Sequence, residues 1–184
     1  MPTRRYATAA LILLLAALAF PTAHAADTDW AVSSPSGALT LTTRLNPDGG
    51  LEYQVALGPK TVVGWSALGV TRSWVDQTVN ARALVAVDLS TALTFVKAEE
   101  SKVEEEYTLL VGKRRENRTE AHQLSLTFRN EEDARLRLDL RAYDEGVAFR
   151  YGLPGESTLH HWLASELTEF NLGTKGTHLS LIHI

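Results

Sequence analysis

Arg135-Leu136-Arg137-Leu138-Asp139-Leu140-Arg141-Ala142 alternates charged and apolar residues without a break. A period of two gives an extended strand one apolar and one wet face, and gives a helix neither. Upstream, Leu124, Leu126 and Phe128 alternate with polar neighbours, and Asn130-Glu131-Glu132-Asp133 separates the two runs. Downstream, Asp144-Glu145-Gly146 leads into Val147, Phe149 and Tyr151, again spaced by two, before Pro154-Gly155 stops the strand. Three strands in series joined by short turns make a meander.

The same period appears nearer the N-terminus. Leu39, Leu41, Thr43 and Leu45, then Leu51, Tyr53, Val55 and Leu57, predict two half-buried strands around Asn46-Pro47-Asp48-Gly49-Gly50. Proline sets one φ there and the glycines accept positive φ, so the pair is predicted to be a hairpin. Strands with one apolar face suit antiparallel sheets packed face to face and argue against a parallel sheet covered on both sides. The fold predicted is all-β, an antiparallel β-sandwich. No segment between Asp27 and His178 has a helical period of helix length; Ala98 to Leu110 is Glu-rich and reads as a solvated loop or charged edge strand.

The chain has 184 residues, 45% hydrophobic and 22% charged, which suits one compact unit. With 18 basic against 22 acidic side chains it carries a formal charge of −4, without the surplus of Lys and Arg that a phosphate backbone demands, so no nucleic-acid partner is expected. Zero cysteines exclude disulfides, thiol nucleophiles and cysteine-ligated metal centres. Residues 1–25 read as a secretory signal: Arg4 and Arg5, an apolar run from Ala7 to Phe20, then Ala23-His24-Ala25. The run falls short of the ~20 residues of a membrane-spanning helix, so no membrane span is expected after cleavage. Removing the signal leaves 16 basic and 22 acidic groups, a charge of −6, and a periplasmic or secreted location is expected.

Leu179-Ser180-Leu181-Ile182-His183-Ile184 is an apolar alternating run without turn, charge or cap. It reads as an adapter-derived tail, residues 179–184, after a β-sandwich domain of residues 26–178 that is incomplete at its C-terminal end.

Side chains able to do chemistry are scattered. His122, His160, His161 and His178 read as surface or loop residues, while His24 leaves with the signal and His183 lies in the tail. No G-x-S-x-G elbow is present. Glu99, Glu100, Glu104, Glu105 and Glu106 form a charge run, and Asp144-Glu145-Gly146 lacks the spaced ligands of a calcium loop. Glu166 and Glu169, three apart, would face opposite sides of a strand and cannot form a catalytic pair by themselves. Trp30, Trp65, Trp74 and Trp162 read mainly as core or interface anchors, with sugar stacking as the other use. No catalytic, cofactor-binding or metal-ligating residue is assigned.

Trp65-Ser66-Ala67-Leu68-Gly69-Val70, Gly112-Lys113-Arg114-Arg115-Glu116-Asn117-Arg118 and Leu138-Asp139-Leu140-Arg141-Ala142-Tyr143-Asp144-Glu145-Gly146-Val147-Ala148-Phe149-Arg150-Tyr151 follow in this order. With Ser34-Pro35-Ser36-Gly37-Ala38-Leu39 and Glu166-Leu167-Thr168-Glu169-Phe170, they resemble the N-terminal domain of glycoside hydrolase family 97 over about Val32 to Phe170. That resemblance implies a β-super-sandwich preceding a (β/α)8 barrel and a small C-terminal β-domain, in calcium-dependent α-glucosidases or α-galactosidases. It places the acid and base carboxylates on the barrel, which is absent from this sequence, so this chain alone is expected to be inactive. The barrel is the expected partner and carbohydrate the expected substrate. The glutamate that such a domain lends to calcium falls beyond the last residue here, so no cofactor is expected in this chain and calcium is expected in the longer enzyme. His122-Gln123-Leu124 stands where the family has a Tyr-Asn-Glu-Leu run, which leaves the substrate unassigned. The other function considered is a free-standing carbohydrate-binding or adhesive β-sandwich.

Overall fold

A computed structural model describes residues 29–76, 83–110, 115–155 and 160–173. The signal segment, His178 and the 179–184 tail lie outside the described residues. Eleven strands follow in chain order: β1 Asp29–Ser33, β2 Leu39–Leu45, β3 Leu51–Leu57, β4 Lys60–Leu68, β5 Val70–Asp76, β6 Ala83–Asp88, β7 Thr94–Thr108, β8 Glu116–Arg129, β9 Arg135–Tyr143, β10 Val147–Gly152 and β11 His161–Glu166. No helix occurs among the described residues.

They form three antiparallel sheets, ordered β1-β2-β3-β4, β10-β9-β8-β7 and β11-β5-β6. The predicted hairpin is β2–β3, with Leu39 opposite Leu57 and Leu45 opposite Leu51. Asn46 shapes its turn by accepting from the Asp48 and Gly50 amides through Oδ1. Gly49 sits at φ +70°, and a Cβ there would stand 2.8 Å from the Leu93 amide nitrogen, so this turn requires glycine. The predicted meander is β8–β9–β10, with Leu126 opposite Leu138 and Tyr151 opposite Leu138 from the other side.

β1 and β2 pack against β8 and β9. Leu41, Leu51, Tyr53, Val55 and Leu68 meet Leu124, Leu126, Phe128, Leu136, Leu138 and Leu140 in one buried cluster. Each of these leucines contributes roughly 1.5–3 kcal/mol by leaving water, which holds the two sheets face to face. At one end Trp30 stacks on Phe95 at 4.7 Å and meets Phe128 edge-on at 5.4 Å.

The Glu-rich segment belongs to β7, a 15-residue edge strand paired only with β8. Strand alternation splits its charge run. Glu99 and Glu105 share a face with Ser125 and Thr119, whereas Glu100, Glu104 and Glu106 share the other with Leu124, Glu120 and Arg118. Charges on both faces of an exposed edge discourage pairing with another chain.

The third sheet starts where the chain leaves β4 at Gly69. A Cβ on Gly69 would lie 2.6 Å from that of Ser90, so close approach demands glycine. β11 follows β5 antiparallel with a register shift between Leu163 and Ser165. After β11 the chain runs beside β4: Leu167 N–H donates to Gly69 O, Glu169 N–H to Ala67 O, and Asn171 pairs with Gly64. Tyr53 Oη–H donates to Glu169 O at 2.8 Å, tying this return segment to the core.

Candidate functional site

The outward faces of the three sheets differ, because residues directly opposite across a ladder share a face. On the first sheet, Thr40, Thr42, Arg44, Glu52 and Gln54 face out, and Arg44 pairs with Glu52 at 2.8 Å. On the second, Arg135, Arg137, Asp139 and Arg141 do so, since Leu136, Leu138 and Leu140 are fully buried inward. Both are polar faces that water can cover.

The third sheet is different. Val70 and Val87 point into the core. The opposite face shows Trp162, Ser73 and Ala86 in one row, with Val75 beside Leu84. Asp88, opposite Thr71 and exposed, shares this face, and Ser73 within it is buried. Leu84 is 65% exposed and Trp162 44%. The return segment adds Phe170, 64% exposed, with Leu167 and Leu172. Six of the thirteen exposed large apolar side chains among the described residues lie on this sheet and the segment after it; the rest include Leu57 and Val62 near the first sheet and Phe95, Val96, Tyr107, Leu109 and Leu110 along and after β7.

The other residues singled out in the sequence are spent locally. His122 Nδ1–H donates to Ser33 O at 2.9 Å, linking the two sandwich sheets. His161 meets Trp74 edge-on at 5.2 Å, and His160 is exposed just before β11. Asp144 accepts from the Ser36 amide at 2.9 Å, and these Ser36 contacts hold its carboxyl below the usual range. Glu166, the last residue of β11, accepts from Thr168 at 2.7 Å, and Glu169 accepts from the Ala67 amide at 3.3 Å. Glu166 and Glu169 therefore do not lie on one strand. Three of the four tryptophans have their rings in use: Trp30 in the core stack, Trp65 beneath the Arg44 guanidinium at 3.8 Å, and Trp74 against His161. Trp162 is left partly exposed.

Among the described residues, no three of His, Asp and Glu converge in the way a metal ion requires. The described residues therefore form no calcium shell.

One arrangement escaped sequence reasoning. Asp139 points away from the core yet is only 4% exposed. Its Oδ1 accepts from Ser125 Oγ and Arg137 Nε, both at 2.7 Å, and its Oδ2 from Arg150 Nη2 at 2.8 Å. Burial alone would raise its pKa, but the bonds from Arg150, Ser125 and Arg137 outweigh this and hold it below the usual carboxylate range. The signal was the Arg-x-Asp-x-Arg spacing of Arg137, Asp139 and Arg141; what it lacked was Arg150, placed opposite Asp139 by the β9–β10 register.

Comparison with known proteins agrees with this architecture. The chain is 35% identical over 180 residues to a protein of Streptomyces bingchenggensis (strain BCW-1) named "Probable retaining alpha-galactosidase", covering 94% of this chain and 26% of the relative. The chain thus spans about a quarter of that relative's length. Among solved structures, a glycoside hydrolase family 97 enzyme from Pseudoalteromonas sp. strain K8, in complex with panose, superposes with TM-score 0.62 at 23% identity, over 78% of this chain and 20% of that one. A beta-arabinopyranosidase crystal structure gives TM-score 0.64 at 24% identity, over 77% and 21%. At such identities the likeness is one of fold. The family model described as "Glycosyl-hydrolase 97 N-terminal" matches residues 32–182, most of the sequence. This chain belongs to the glycosyl-hydrolase 97 N-terminal family.

Proposed function

We propose that this chain is the non-catalytic N-terminal β-sandwich of an exported α-glycosidase, and that the Trp162–Leu84 face of its third sheet seats the catalytic barrel of the same enzyme. The observation that carries the docking role is the contrast between faces: two sheets turn mainly polar side chains outward, and the third turns out Trp162, Val75, Leu84 and Ala86, with Thr71 and Asp88 at one end. Removing that apolar area from water is worth about 25 cal/mol per Å², a driving force that only a partner can realise. The full enzyme acts on α-glucosides or α-galactosides with a carboxylate pair and calcium held outside this domain. Glu166, at the end of β11, accepts from Thr168, and Glu169, on the return segment, accepts from the Ala67 amide, so each carboxylate serves a local contact rather than a shared one.

Two measurements test this. The purified chain is expected to release no p-nitrophenol from p-nitrophenyl α-glucoside or α-galactoside; turnover abolished by one carboxylate substitution overturns the non-catalytic assignment. In light scattering the chain is expected to self-associate, and Trp162→Glu with Leu84→Glu to disperse it without loss of cooperative unfolding. A wild-type chain that is monodisperse and indistinguishable from the double variant refutes the docking face. Trp162, 44% exposed on the edge strand β11, also offers a ring on which a sugar can stack. Saturable, Trp162-dependent binding of maltooligosaccharides by calorimetry would favour a free-standing carbohydrate-binding module instead.

A further inference from the structure

We propose that the groove between β1 and the inner face of β7 receives one extended strand of the enzyme's own polypeptide, carrying an acidic and a basic side chain two residues apart. That source rests on the reading of this chain as one domain of a longer enzyme. The groove is built from other strands than the third sheet assigned to docking.

The first observation is an open backbone edge. β1 pairs with β2 and, among the described residues, with no strand on its other side. Ser34 N–H donates to Leu39 O, so the hydrogen-bonded pairs of this ladder fall at Ser34 and, two residues back, at Val32. Ala31 and Ser33 therefore turn their N–H and C=O groups away from β2. Ser33 O accepts from His122 Nδ1–H at 2.9 Å, which closes that end. Ala31 offers both its groups to a new strand, the mode by which extended peptides extend a sheet.

The second is the offset of the two sheets. β1 packs on β8 and β9, whereas β7 lies beyond β8. A strand added to β1 therefore lands on the inner face of β7. A groove of about 380 Å³ already runs there, between residues 31–33 of β1 and Glu100, Lys102 and Leu124 of the facing sheet. A second copy cannot fill it with its own β1, because the sheet beneath that strand would collide with β7.

The third is charge. Glu99, Glu104, Glu105 and Glu106 of β7 are each paired with a lysine or arginine. Glu100 and Lys102 belong to none of the ion pairs among the described residues, and both face the groove. They share one face of β7, about 7 Å apart. An incoming strand has the same repeat, so it answers them with opposite charges two residues apart, while the residue between points outward. A few backbone bonds and partly exposed ion pairs hold a free peptide weakly, whereas a tether supplies an effective concentration on the order of 1 mM. The occupant is accordingly a tethered segment rather than a diffusing ligand.

The test is amide NMR of the full chain titrated with the capped peptide Thr-Glu-Thr-Lys-Thr-Val. Saturable shifts are expected at Ala31 and Lys102 in the millimolar range, and none from the isomer Thr-Glu-Lys-Thr-Thr-Val, whose charges face opposite ways. Glu100→Lys is expected to weaken the first peptide at least about tenfold and to bind Thr-Glu-Thr-Glu-Thr-Val in its place, a swap that loss of structure would not produce. Ala31→Pro removes the outward N–H, a substitution that edge strands tolerate, and is expected to abolish the shifts. Equal binding of the isomer, no saturable shift, or no swap in Glu100→Lys overturns the proposal. Micromolar affinity, or an Ala31 shift that follows the concentration of the chain alone, overturns the tethered source in favour of a separate partner or a second copy. The Trp162→Glu, Leu84→Glu double variant is expected to bind the peptide as the wild type does, so failure of the docking face and failure of the groove are read separately.

Discussion

Replacing Asp139 by alanine removes a carboxylate that is nearly inaccessible yet lies on the solvent side of its sheet. Three hydrogen bonds go with it, two of them from guanidinium groups. Bonds to charged partners contribute roughly 1.5–3 kcal/mol each and the serine bond about 1 kcal/mol, which gives a gross loss of about 4–7 kcal/mol. The net loss is smaller because the orphaned cations are not trapped: the Arg150 and Arg137 side chains are 73% and 43% exposed and return to water. We expect about 2 kcal/mol, read as a lower urea midpoint with unchanged slope and, for a chain of this size, a Tm lower by about 4–8 °C. The pH dependence separates charge from packing. The folded pKa of Asp139 lies below its unfolded value, so its contribution is fully present above about pH 4 and lost as pH falls through the lower folded value. The gap between wild type and variant should therefore hold from neutral pH to about pH 4 and narrow below it. A gap under about 0.5 kcal/mol at neutral pH, or one that stays constant on acidification to about pH 3, would show that the paired charge is not what the carboxylate supplies.

Gly69→Ala is expected to destabilise by about 1–3 kcal/mol through overpacking against Ser90, and Ser90→Gly should restore most of that loss; absence of rescue refutes the contact. Tyr53→Phe should cost about 1 kcal/mol and speed hydrogen exchange at the Glu169 and Asn171 amides more than at Leu138, because the lost hydroxyl anchors the return segment; uniform acceleration refutes this.

Alternation alone determined where the core strands run. Leu136, Leu138 and Leu140 are spaced so that only an extended chain gathers them on one side, and the observed strands carry them inward as expected. The hairpin at Asn46-Pro47-Asp48-Gly49-Gly50 was equally legible, since a turn and its register are set within a dozen residues. The Glu-rich run resolved to the edge strand that was one of its two readings, because charge on both faces is tolerable only where neither face is covered. Residues 60–76 and β11 had no such pattern. Their pairing joins β5 to a strand some ninety residues later, and the energy that selects it comes from contacts absent in either segment alone. The same is true of Asp139. Its sequence neighbours mark it as a surface residue, and its burial exists only once Ser125, Arg137 and Arg150 converge from three strands. Local periodicity reports which way a side chain points, but whether that direction meets water, a guanidinium or another domain is decided by strands brought together across the chain.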